Sequence, residues 1–322
     1  MHVLLTGGAG FVGSHACRRL LAAGHSVTVV DNLATGRAEA VPAGARLVVE
    51  DIASLDLMGL ARDLRPDAVV HLAAQISVSH SVADPLADAR TNIQGTINVL
   101  EAARASGARR IVFASSAAVY GMPDQLPVTE ETPVAPISPY GLSKATAESY
   151  IRTLGARYGI AHAILRFANV YGPGQTPEGE AGVVAIFCDK VLKGVAPTIF
   201  GDGLQTRDFV YVGDVAEAIL LALESNRPAL TAHVSTATEV SVNQLWALCR
   251  QAAERLASPE RASQIRTLEP VYGPERPGDI RFSALDNRRI AEMLGWRPQV
   301  ALAEGLMRTL QSALAEREVQ VK

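Results

Sequence analysis

The first half of the chain alternates short apolar runs with longer stretches in which apolar residues recur at helical spacing. The short runs are bounded by glycine or polar residues and predict buried strands, and the longer stretches predict helices. Predicted strands are Val3–Thr6, Val27–Val30, Arg46–Val49, Ala68–His71, Arg110–Ala114 and Ala163–Phe167, and predicted helices are Phe11–Ala23, Leu55–Leu64, Pro85–Ser106 and Pro139–Tyr158. This alternation is typical of βαβ units, so we predict a Rossmann-type α/β fold with a doubly wound parallel sheet.

The pattern changes near Asn169. Val170–Gly182 is rich in glycine and proline and predicts a loop, whereas Asp208–Leu223 returns to the strand-then-helix pattern of the first half. The other predicted elements are Thr198–Phe200 as a strand and Val183–Lys193, Val242–Leu256, Arg288–Leu294 and Ala303–Glu316 as helices. We therefore predict a first domain over residues 1–169, to which the chain returns around 205–235, and a smaller C-terminal α/β domain over 170–204 and 236–322.

Composition and charge narrow the class of protein. The 322 residues are 48% hydrophobic and 20% charged, and 30 basic against 33 acidic residues give a net charge of −3. This balance is that of an ordinary globular protein, and without a basic excess we expect no nucleic-acid partner. A predicted strand begins at once and no apolar run has membrane-spanning length, so we expect a cytoplasmic protein without a leader or membrane segment.

The cysteines and histidines give no sign of a metal site. Cys17, Cys188 and Cys249 lie far apart, and no Cys-x-x-Cys or Cys/His cluster occurs. We therefore expect no metal and interpret the cysteines as small buried residues in a reducing compartment. His71 ends a predicted strand without a neighbour at metal-ligand spacing, so we interpret it as structural.

A glycine-rich turn follows the first predicted strand and opens the first predicted helix. Gly8, Gly10 and Gly13 fit the pattern G-x-G-x-x-G, in which glycines allow a tight turn and close approach of a pyrophosphate. The second predicted strand ends in Asp31, 18 residues after Gly13, where a carboxylate accepts hydrogen bonds from ribose hydroxyls. A carboxylate there repels a 2′-phosphate, so the sequence favours NAD over NADP.

Tyr140 and Lys144 lie four residues apart on a predicted helix, which places both side chains on one face. A neighbouring ammonium group favours the phenolate, so we expect the pKa of Tyr140 to be lowered and the phenol to act as a base. Ser115 and Ser116 follow a predicted strand at the edge where ligands bind in such sheets. Taken singly, Tyr140 and Lys144 could also be an exposed pair on a helix. Ser115 and Ser116 could likewise form a turn or a helix cap.

Together these residues resemble the extended short-chain dehydrogenase/reductase family, and within it the UDP-glucose 4-epimerases. The resemblance runs in order from residue 7 to residue 279, which is most of the chain. The shared segments are Gly7–Gly13, Asp31-Asn32-Leu33, Asp51-Ile52, His71-Leu72-Ala73-Ala74, Asn92 with Gly95, Ser115–Gly121, Pro139-Tyr140 with Lys144, Arg166–Pro173, Arg207–Val212 with Asp214, and Arg276-Pro277-Gly278-Asp279.

The resemblance implies a site for NAD in the first domain. The implied ligands of the pyrophosphate, the ribose, the adenine and the nicotinamide half are Gly7, Gly10, Phe11, Val12, Gly13, Asp31, Asn32, Asp51, Ile52, Leu72, Ala73, Ala74, Asn92, Ser115, Tyr140, Lys144 and Phe167. It also implies that Tyr140 is the catalytic base, that Lys144 is its partner, and that Ser116 contacts the reacting oxygen. The first domain is therefore expected to bind NAD and the second a nucleotide sugar.

The resemblance also implies the residues that hold a UDP-sugar. Asn169, Arg207 and Arg276 would bind the diphosphate, for which guanidinium groups are suited. Phe200 would stack on the uracil and Asp279 would bind its ribose. The residues alone leave alternatives open: Arg207 beside Asp208 is also a typical surface ion pair, Asn169 a typical turn residue, and Phe200 a typical core residue.

Differences within the family favour one reaction. Sugar dehydratases carry an Asp-Glu pair, and decarboxylases a Glu, where this chain has Ala117-Ala118. Reductases of the family generally use NADPH, which Asp31 disfavours. We therefore expect NAD-dependent epimerisation at C4 of UDP-glucose or UDP-galactose through a 4-keto intermediate.

Two departures from the family pattern bear on the substrate. Gln75-Ile76-Ser77 stands where a lysine often occurs, which leaves one diphosphate or cofactor contact open. Ser283 is small where some relatives have a bulky residue, so N-acetylated sugars are also expected to fit. Alternatives are a 4-epimerase of UDP-glucuronate or UDP-xylose, a tailoring enzyme on another nucleotide sugar, and a non-catalytic NAD-binding sensor.

The resemblance implies a homodimer as well. Two helices of each subunit, here Pro85–Ser106 and Pro139–Tyr158, would form a four-helix bundle with the partner.

Overall fold

The computed structural model describes residues 1–54, 56–177, 182–276 and 280–320. The strands are β1 (His2–Thr6), β2 (Ser26–Asp31), β3 (Arg46–Val49), β4 (Ala68–His71), β5 (Arg110–Ser116), β6 (Ala161–Phe167), β7 (Asn169–Tyr171), β8 (Thr198–Phe200), β9 (Thr206–Arg207), β10 (Phe209–Tyr211), β11 (Ala229–Val234), β12 (Val240–Ser241) and β13 (Val271–Gly273). The helices are α1 (Phe11–Ala22), α2 (Leu57–Leu64), α3 (Val78–Ala83), α4 (Pro85–Ala89), α5 (Gly95–Ser106), α6 (Pro139–Tyr158), α7 (Val183–Lys193), α8 (Val212–Glu224), α9 (Val242–Leu256), α10 (Pro259–Arg266), α11 (Arg288–Leu294) and α12 (Leu302–Gln320).

Seven parallel strands form the central sheet in the order β11-β6-β5-β4-β1-β2-β3. The strand order reverses between β1 and β4, and such a switch point opens a crevice at the carboxyl ends of the strands. This confirms the predicted Rossmann-type doubly wound α/β fold. The outermost strand β11 comes from late in the chain and pairs with β6 along its whole length.

Alternate residues of each strand face opposite sides of the sheet. Val3 and Leu5 belong to a core under α1 and α8, and Leu4 between them belongs to a core under α2, α5 and α6. Both faces of the sheet are therefore buried, which explains why the strands are continuous apolar runs. The three cysteines are buried free thiols.

A further core lies among helices and short strands outside the large sheet. It is centred on α7, α9 and α12, where the ring of Phe187 meets that of Trp246 edge-on with centroids 5.4 Å apart. Trp296, the second tryptophan of the chain, lies instead in the core beside α8, and its indole donates to the carbonyl oxygen of Asp214 at 2.9 Å. None of the described helices combines the length and the apolar run that a bilayer crossing requires.

Several predicted boundaries differ from the structure. The loop predicted at Val170–Gly182 is wrong at its start, because Val170 and Tyr171 belong to β7, which pairs with β10; residues 178–181 lie outside the described residues. The helix predicted at Pro85–Ser106 is divided by a wider helical turn at Arg90–Gln94. Helices α3 and α10 were not predicted. Leu55, the first residue of the predicted helix Leu55–Leu64, lies outside the described residues.

Candidate active site at the carboxyl edge of the sheet

The turn between β1 and α1 is packed so closely that two of its glycines cannot carry a side chain. A β-carbon on Gly13 would lie 1.9 Å from the carbonyl oxygen of Gly7, and one on Gly7, where φ is +74°, would lie 2.6 Å from the backbone nitrogen of Ala73. Gly10 differs, because its β-carbon would meet only the Gly7 oxygen, at 3.4 Å. Gly10 is the N-cap of α1 and has no side chain that could bond to the first turn, so the first-turn N–H groups remain available to an anion.

Asp31 lies at the end of β2 and joins this turn. One carboxylate oxygen accepts from the backbone N–H of Ala9 at 2.9 Å, and the other accepts from that of Leu33 at 2.9 Å. A carboxylate offers about four acceptor positions, so two remain for hydroxyl donors. Asp31 is therefore held against the glycine turn with free acceptor capacity.

Asn32, Asp51 and Ile52 form a neighbouring group at the ends of β2 and β3. The Asn32 amide donates to one oxygen of Asp51 at 2.9 Å, and the other oxygen accepts from the backbone N–H of Ala53 at 2.7 Å. Ile52 is 5% exposed and packs beneath Gly95, where an added β-carbon would lie 2.6 Å from it. The structure thus brings together the residues implied for the ribose and the adenine.

His71 lies between the glycine turn and α5. Its ring nitrogens are hydrogen-bonded to the hydroxyls of Thr6 at 2.7 Å and Thr96 at 3.0 Å. Burial, with a smaller contribution from the charge of Lys144, lowers the pKa of His71 to about 3. The neutral ring therefore bridges β1 and α5. The Thr6 hydroxyl also accepts from the N–H of Ala73, which places the 72–74 segment beside the turn.

Asn92 lies in the wider helical turn and has no spare polar atom. Its amide oxygen accepts from the backbone of Gln75 at 2.9 Å, and its two N–H groups are shared among three acceptors, the Gln75 carbonyl at 2.9 Å, Asp88 at 3.0 Å and Ser143 at 3.1 Å. The amide therefore fastens the Gln75 loop to α6. Contact between Asn92 and a cofactor stays a prediction, because the hydrogen bonds of the Asn92 side chain all go to other residues of the protein.

Ser116 and Tyr140 meet at the end of β5. The Ser116 hydroxyl lies beside the Tyr140 phenol and lowers the pKa of that phenol. The same hydroxyl oxygen accepts from the backbone N–H of Ala118 at 3.1 Å and so begins the 3₁₀ turn Ala117–Tyr120. Helix α6 starts one residue before Tyr140, at Pro139, and the Ser138 hydroxyl accepts from the N–H of Gly141 at 3.1 Å, which fixes the first helical turn.

The pKa of Tyr140 is raised in the chain alone, so the expectation that it is lowered is wrong. Burial raises the pKa of Tyr140, the neighbouring Ser116 hydroxyl lowers it, and the nearby Asp88 carboxylate raises it. The Lys144 ammonium is directed instead to the carbonyl oxygen of Ala114, at 3.0 Å. Burial lowers the pKa of Lys144 to about 8, although Asp88 and Glu148 act in the opposite direction. Without a further positive charge, the phenol is protonated at neutral pH.

Ser115 is directed away from this pair, because adjacent residues of a strand face opposite sides. Its hydroxyl is buried and donates to Glu148 at 2.6 Å. The cofactor contact expected of Ser115 is therefore open only to its backbone. Phe167 faces Ser116 across β5 and β6 in the register of the sheet, and it is 8% exposed.

The residues implied for the substrate lie on later segments. Asn169 is exposed at the start of β7. The Arg276 guanidinium lies over the ring of Phe200, 4.0 Å from its centroid, so the structure brings these two together. Ser283 is half-buried, and its N–H donates to the Thr206 hydroxyl at 3.4 Å. Asp279 lies outside the described residues.

Arg207 is not the surface ion partner of Asp208. Its guanidinium donates to the carbonyl oxygens of Thr206 at 2.7 Å and Ile280 at 2.6 Å. Asp208 is buried and accepts from the backbone and hydroxyl of Thr236, at 2.9 and 2.7 Å. Arg207 is therefore held between β9 and the segment that contains Ser283.

Sequence reasoning missed three buried charges beside the site, Asp88, Glu148 and Arg166. Asp88 contacts Asn92, and Glu148 pairs with Arg166 at 2.6 Å. A signal was present, because Glu148 continues the four-residue spacing of Tyr140 and Lys144 along one face of α6. Among the side chains that the structure describes, no group of three or more His, Cys, Asp or Glu residues could hold a metal ion.

Comparisons with known proteins agree with this geometry. Residues 3–235 match the model of the NAD dependent epimerase/dehydratase family. The chain is 43% identical over 317 residues to the UDP-glucose 4-epimerase of Mycolicibacterium smegmatis, covering 97% of this chain and 98% of that protein. The crystal structure of UDP-glucose 4-epimerase with UDP-glucose from Thermotoga maritima superposes with a TM-score of 0.92 at 41% identity, covering 98% of this chain and 100% of that one. The crystal structure of the Thermus thermophilus UDP-glucose 4-epimerase complex with NAD superposes with a TM-score of 0.88 at 42% identity, covering 97% of this chain and 98% of that one.

Proposed function

Because this chain belongs to the NAD dependent epimerase/dehydratase family, we propose that it interconverts UDP-glucose and UDP-galactose by inverting C4 through a transient 4-keto sugar. The observation that carries this proposal is that Ser116, Tyr140 and the buried Lys144 lie together at the sheet edge that also holds the glycine turn. A sensor of NAD has no need for a phenol and a hydroxyl that lie side by side near a buried lysine.

The glycine turn fits NAD as its cofactor. A pyrophosphate suits the turn, because Gly7 and Gly13 pack closely and Gly10 leaves open space. A ribose suits the neighbouring Asp31, which has spare acceptor positions. When bound, NAD supplies the acceptor for the C4 hydride, and its positive ring favours the phenolate form of a neighbouring phenol.

The chain's own residues then handle the proton and hold the sugar. Tyr140 takes the proton from the 4-hydroxyl and returns it when the opposite C4 configuration forms. Ser116 donates a hydrogen bond to the same oxygen. Asn169, Arg207 and Arg276 bind the diphosphate, Phe200 stacks on the uracil, and Asp279 binds its ribose. The diphosphate tether lets the flat keto sugar present either face to the same site.

The turn after Ser116 argues against a dehydratase or decarboxylase. Ala117 and Ala118 fill that turn with methyl groups, so no carboxyl group stands there to remove a second proton or assist elimination of water. A reaction that only withdraws and restores the C4 hydrogen needs no such group.

Assembly and location are further parts of the proposal. We infer a homodimer through the helical run from Pro85 to Ser106 and through α6, where Leu86 is 82% exposed and Leu142 is 57% exposed. A contiguous apolar patch on a surface marks an interaction site, and α4 and α6, which carry these two leucines, pack against each other. Light scattering at micromolar concentration is expected to give twice the mass of the chain. We also propose that the protein works in the cytoplasm.

The test is an NMR assay of the purified protein with UDP-glucose and, separately, UDP-galactose. We expect both reactions to reach the same mixture without added cofactor. Parallel samples of UDP-N-acetylglucosamine, UDP-glucuronate and UDP-xylose measure the breadth of the pocket, and Ser283 favours turnover of the N-acetylated sugar. Bound NAD whose absorbance no nucleotide sugar changes, together with unchanged sugars, would identify a sensor instead.

A further inference from the structure

Glu148 is the most completely bonded carboxylate near the site, although it contacts neither Tyr140 nor Ser116. It is 0% exposed and lies two helical turns beyond Tyr140 on α6. Its oxygens accept from Ser115 at 2.6 Å, from two nitrogens of Arg166 at 2.8 and 2.6 Å, and from Arg152 at 2.7 Å. Burial raises the pKa of Glu148, but the hydrogen bonds and charge of Arg166 outweigh it and hold that pKa below its usual value.

Two of these donors come from neighbouring strands at one level of the sheet. Ser115 of β5 and Arg166 of β6 are direct partners in the strand register. Ser116 is the next residue of β5 and faces the opposite side, toward Tyr140. One carboxylate therefore ties the catalytic helix to the catalytic strand one residue before the serine that meets the phenol.

Arg166 also fixes the turn that follows Ser116. Its remaining guanidinium nitrogen donates to the Tyr120 hydroxyl at 2.5 Å, and that hydroxyl is hydrogen-bonded to a ring nitrogen of His233 at 2.6 Å. The Ser116 hydroxyl begins the same 3₁₀ turn by accepting from Ala118. Ser116 is thus held on one side by Ser115, which bonds to Glu148, and on the other side by Tyr120. Arg166 joins the two, because it bonds to both Glu148 and Tyr120.

We propose that Glu148 is a positioning residue that holds Tyr140 and Lys144 in register with Ser116 through its hydrogen bond from Ser115. This inference rests on the proposed function, because the register matters only if these side chains act on one substrate. A displacement of about 1 Å in such a constellation costs up to about a hundredfold in rate.

The decisive comparison uses two variants, each of which removes a different hydrogen bond to the Glu148 carboxylate. Ser115→Ala removes the tie to β5, and Arg152→Gln removes a bond of similar length that reaches Glu148 from the solvent side, where the Arg152 side chain is 41% exposed. For Ser115→Ala we expect kcat with UDP-glucose to fall about ten- to a hundredfold while KM and NAD content stay within about twofold. For Arg152→Gln we expect kcat within about twofold of wild type.

Each result is decisive. Wild-type kcat in Ser115→Ala overturns the inference, as does an equal loss in both variants, which would indicate general stabilisation by the carboxylate. Loss of NAD from Ser115→Ala would assign Ser115 to the cofactor and also overturn it. Wild-type protein inactive on every UDP-sugar overturns the proposed function itself, whereas active wild type with unaffected Ser115→Ala overturns this inference alone.

Tyr120→Phe tests the second anchor independently. The variant keeps the ring but removes the hydroxyl that joins Arg166 to His233. We expect kcat to fall by about tenfold or more at unchanged KM. Unchanged kcat at a lowered unfolding temperature would show that the anchor only stabilises the fold, and would overturn the inference for the turn.

Discussion

The ammonium group of Lys144 donates a hydrogen bond to the carbonyl oxygen of Ala114, 3.0 Å away, and lies 4.9 Å from the centre of the Phe113 ring. Lys144 is only 4% exposed, and burial lowers its pKa from 10.5 to about 8. A buried ammonium disfavours the folded state, and such local conflicts concentrate at functional sites. Lys144 is therefore expected to lower the free energy of unfolding, and we attribute its presence to its role in catalysis.

Lys144→Met is expected to be more stable than wild type at neutral pH when both are free of nucleotide. Lys144 stays protonated up to about pH 10.5 in the unfolded chain but only up to about pH 8 in the folded chain. The loss of stability caused by the buried charge is therefore complete below pH 8 and disappears as the pH rises from 8 to 10.5. We expect an advantage of about 1–3 kcal/mol near pH 7 that shrinks toward about pH 10, measured by urea unfolding. Lys193→Met, at an exposed lysine, is the control. An advantage independent of pH would contradict this explanation.

Tyr140→Phe is expected to lower kcat about a hundred- to ten-thousandfold, because it removes the proton acceptor and leaves the ring in place. NAD content and KM are expected to change little. The control is Tyr150→Phe on the same helix, where the side chain is 39% exposed. An NMR assay of UDP-glucose conversion measures both variants, and full activity of Tyr140→Phe would rule out the proposed base.

Asp88→Asn is expected to move the acidic limb of the kcat profile to lower pH. The Asp88 charge raises the pKa of Tyr140, and the base must lose its proton to work, so neutralising Asp88 lets the phenolate form at lower pH. Asp84→Asn alters an exposed helix cap and should leave the limb in place. A shift to higher pH would show that the loss of Asp88 acts mainly through Lys144.

Gly10→Ala and Gly13→Ala are expected to separate cofactor binding from folding. A β-carbon on Gly13 meets the Gly7 oxygen at 1.9 Å, so the turn must open and stability must fall. A β-carbon on Gly10 has room, but it occupies the space offered to a phosphate. Gly10→Ala should keep its nucleotide-free unfolding temperature and lose NAD affinity by about tenfold or more in calorimetry. Equal destabilisation of both variants would contradict the open position at Gly10.

Features with a local cause could be predicted from the sequence. The glycine turn, Asp31 and the four-residue spacing of Tyr140 and Lys144 depend on neighbours along the chain, and the strand and helix pattern of the first half follows from burial on both faces of the sheet. The bounds of α6 agree with the prediction, since Pro139 and Gly159 mark its ends.

Features that depend on distant segments could not be predicted. Val170 and Tyr171 form a strand only because Val210 and Tyr211 lie beside them in parallel. No local pattern shows that Ser115 meets Glu148 while Ser116 meets Tyr140, or that Lys144 is directed to a strand carbonyl. These contacts follow from the packing of α6 against β5, which the sequence reveals only once the fold is known.

The two tryptophans divide between separate cores, Trp246 with Phe187 in the core centred on α9 and Trp296 beside α8 under the large sheet. Indole emission shifts to the red when a ring leaves an apolar interior. Replacing either ring by phenylalanine therefore leaves a chain whose fluorescence reports on one core at a time. Coincident melting curves from the two variants would mark a single cooperative unit, and separate curves would show the order in which the cores come apart.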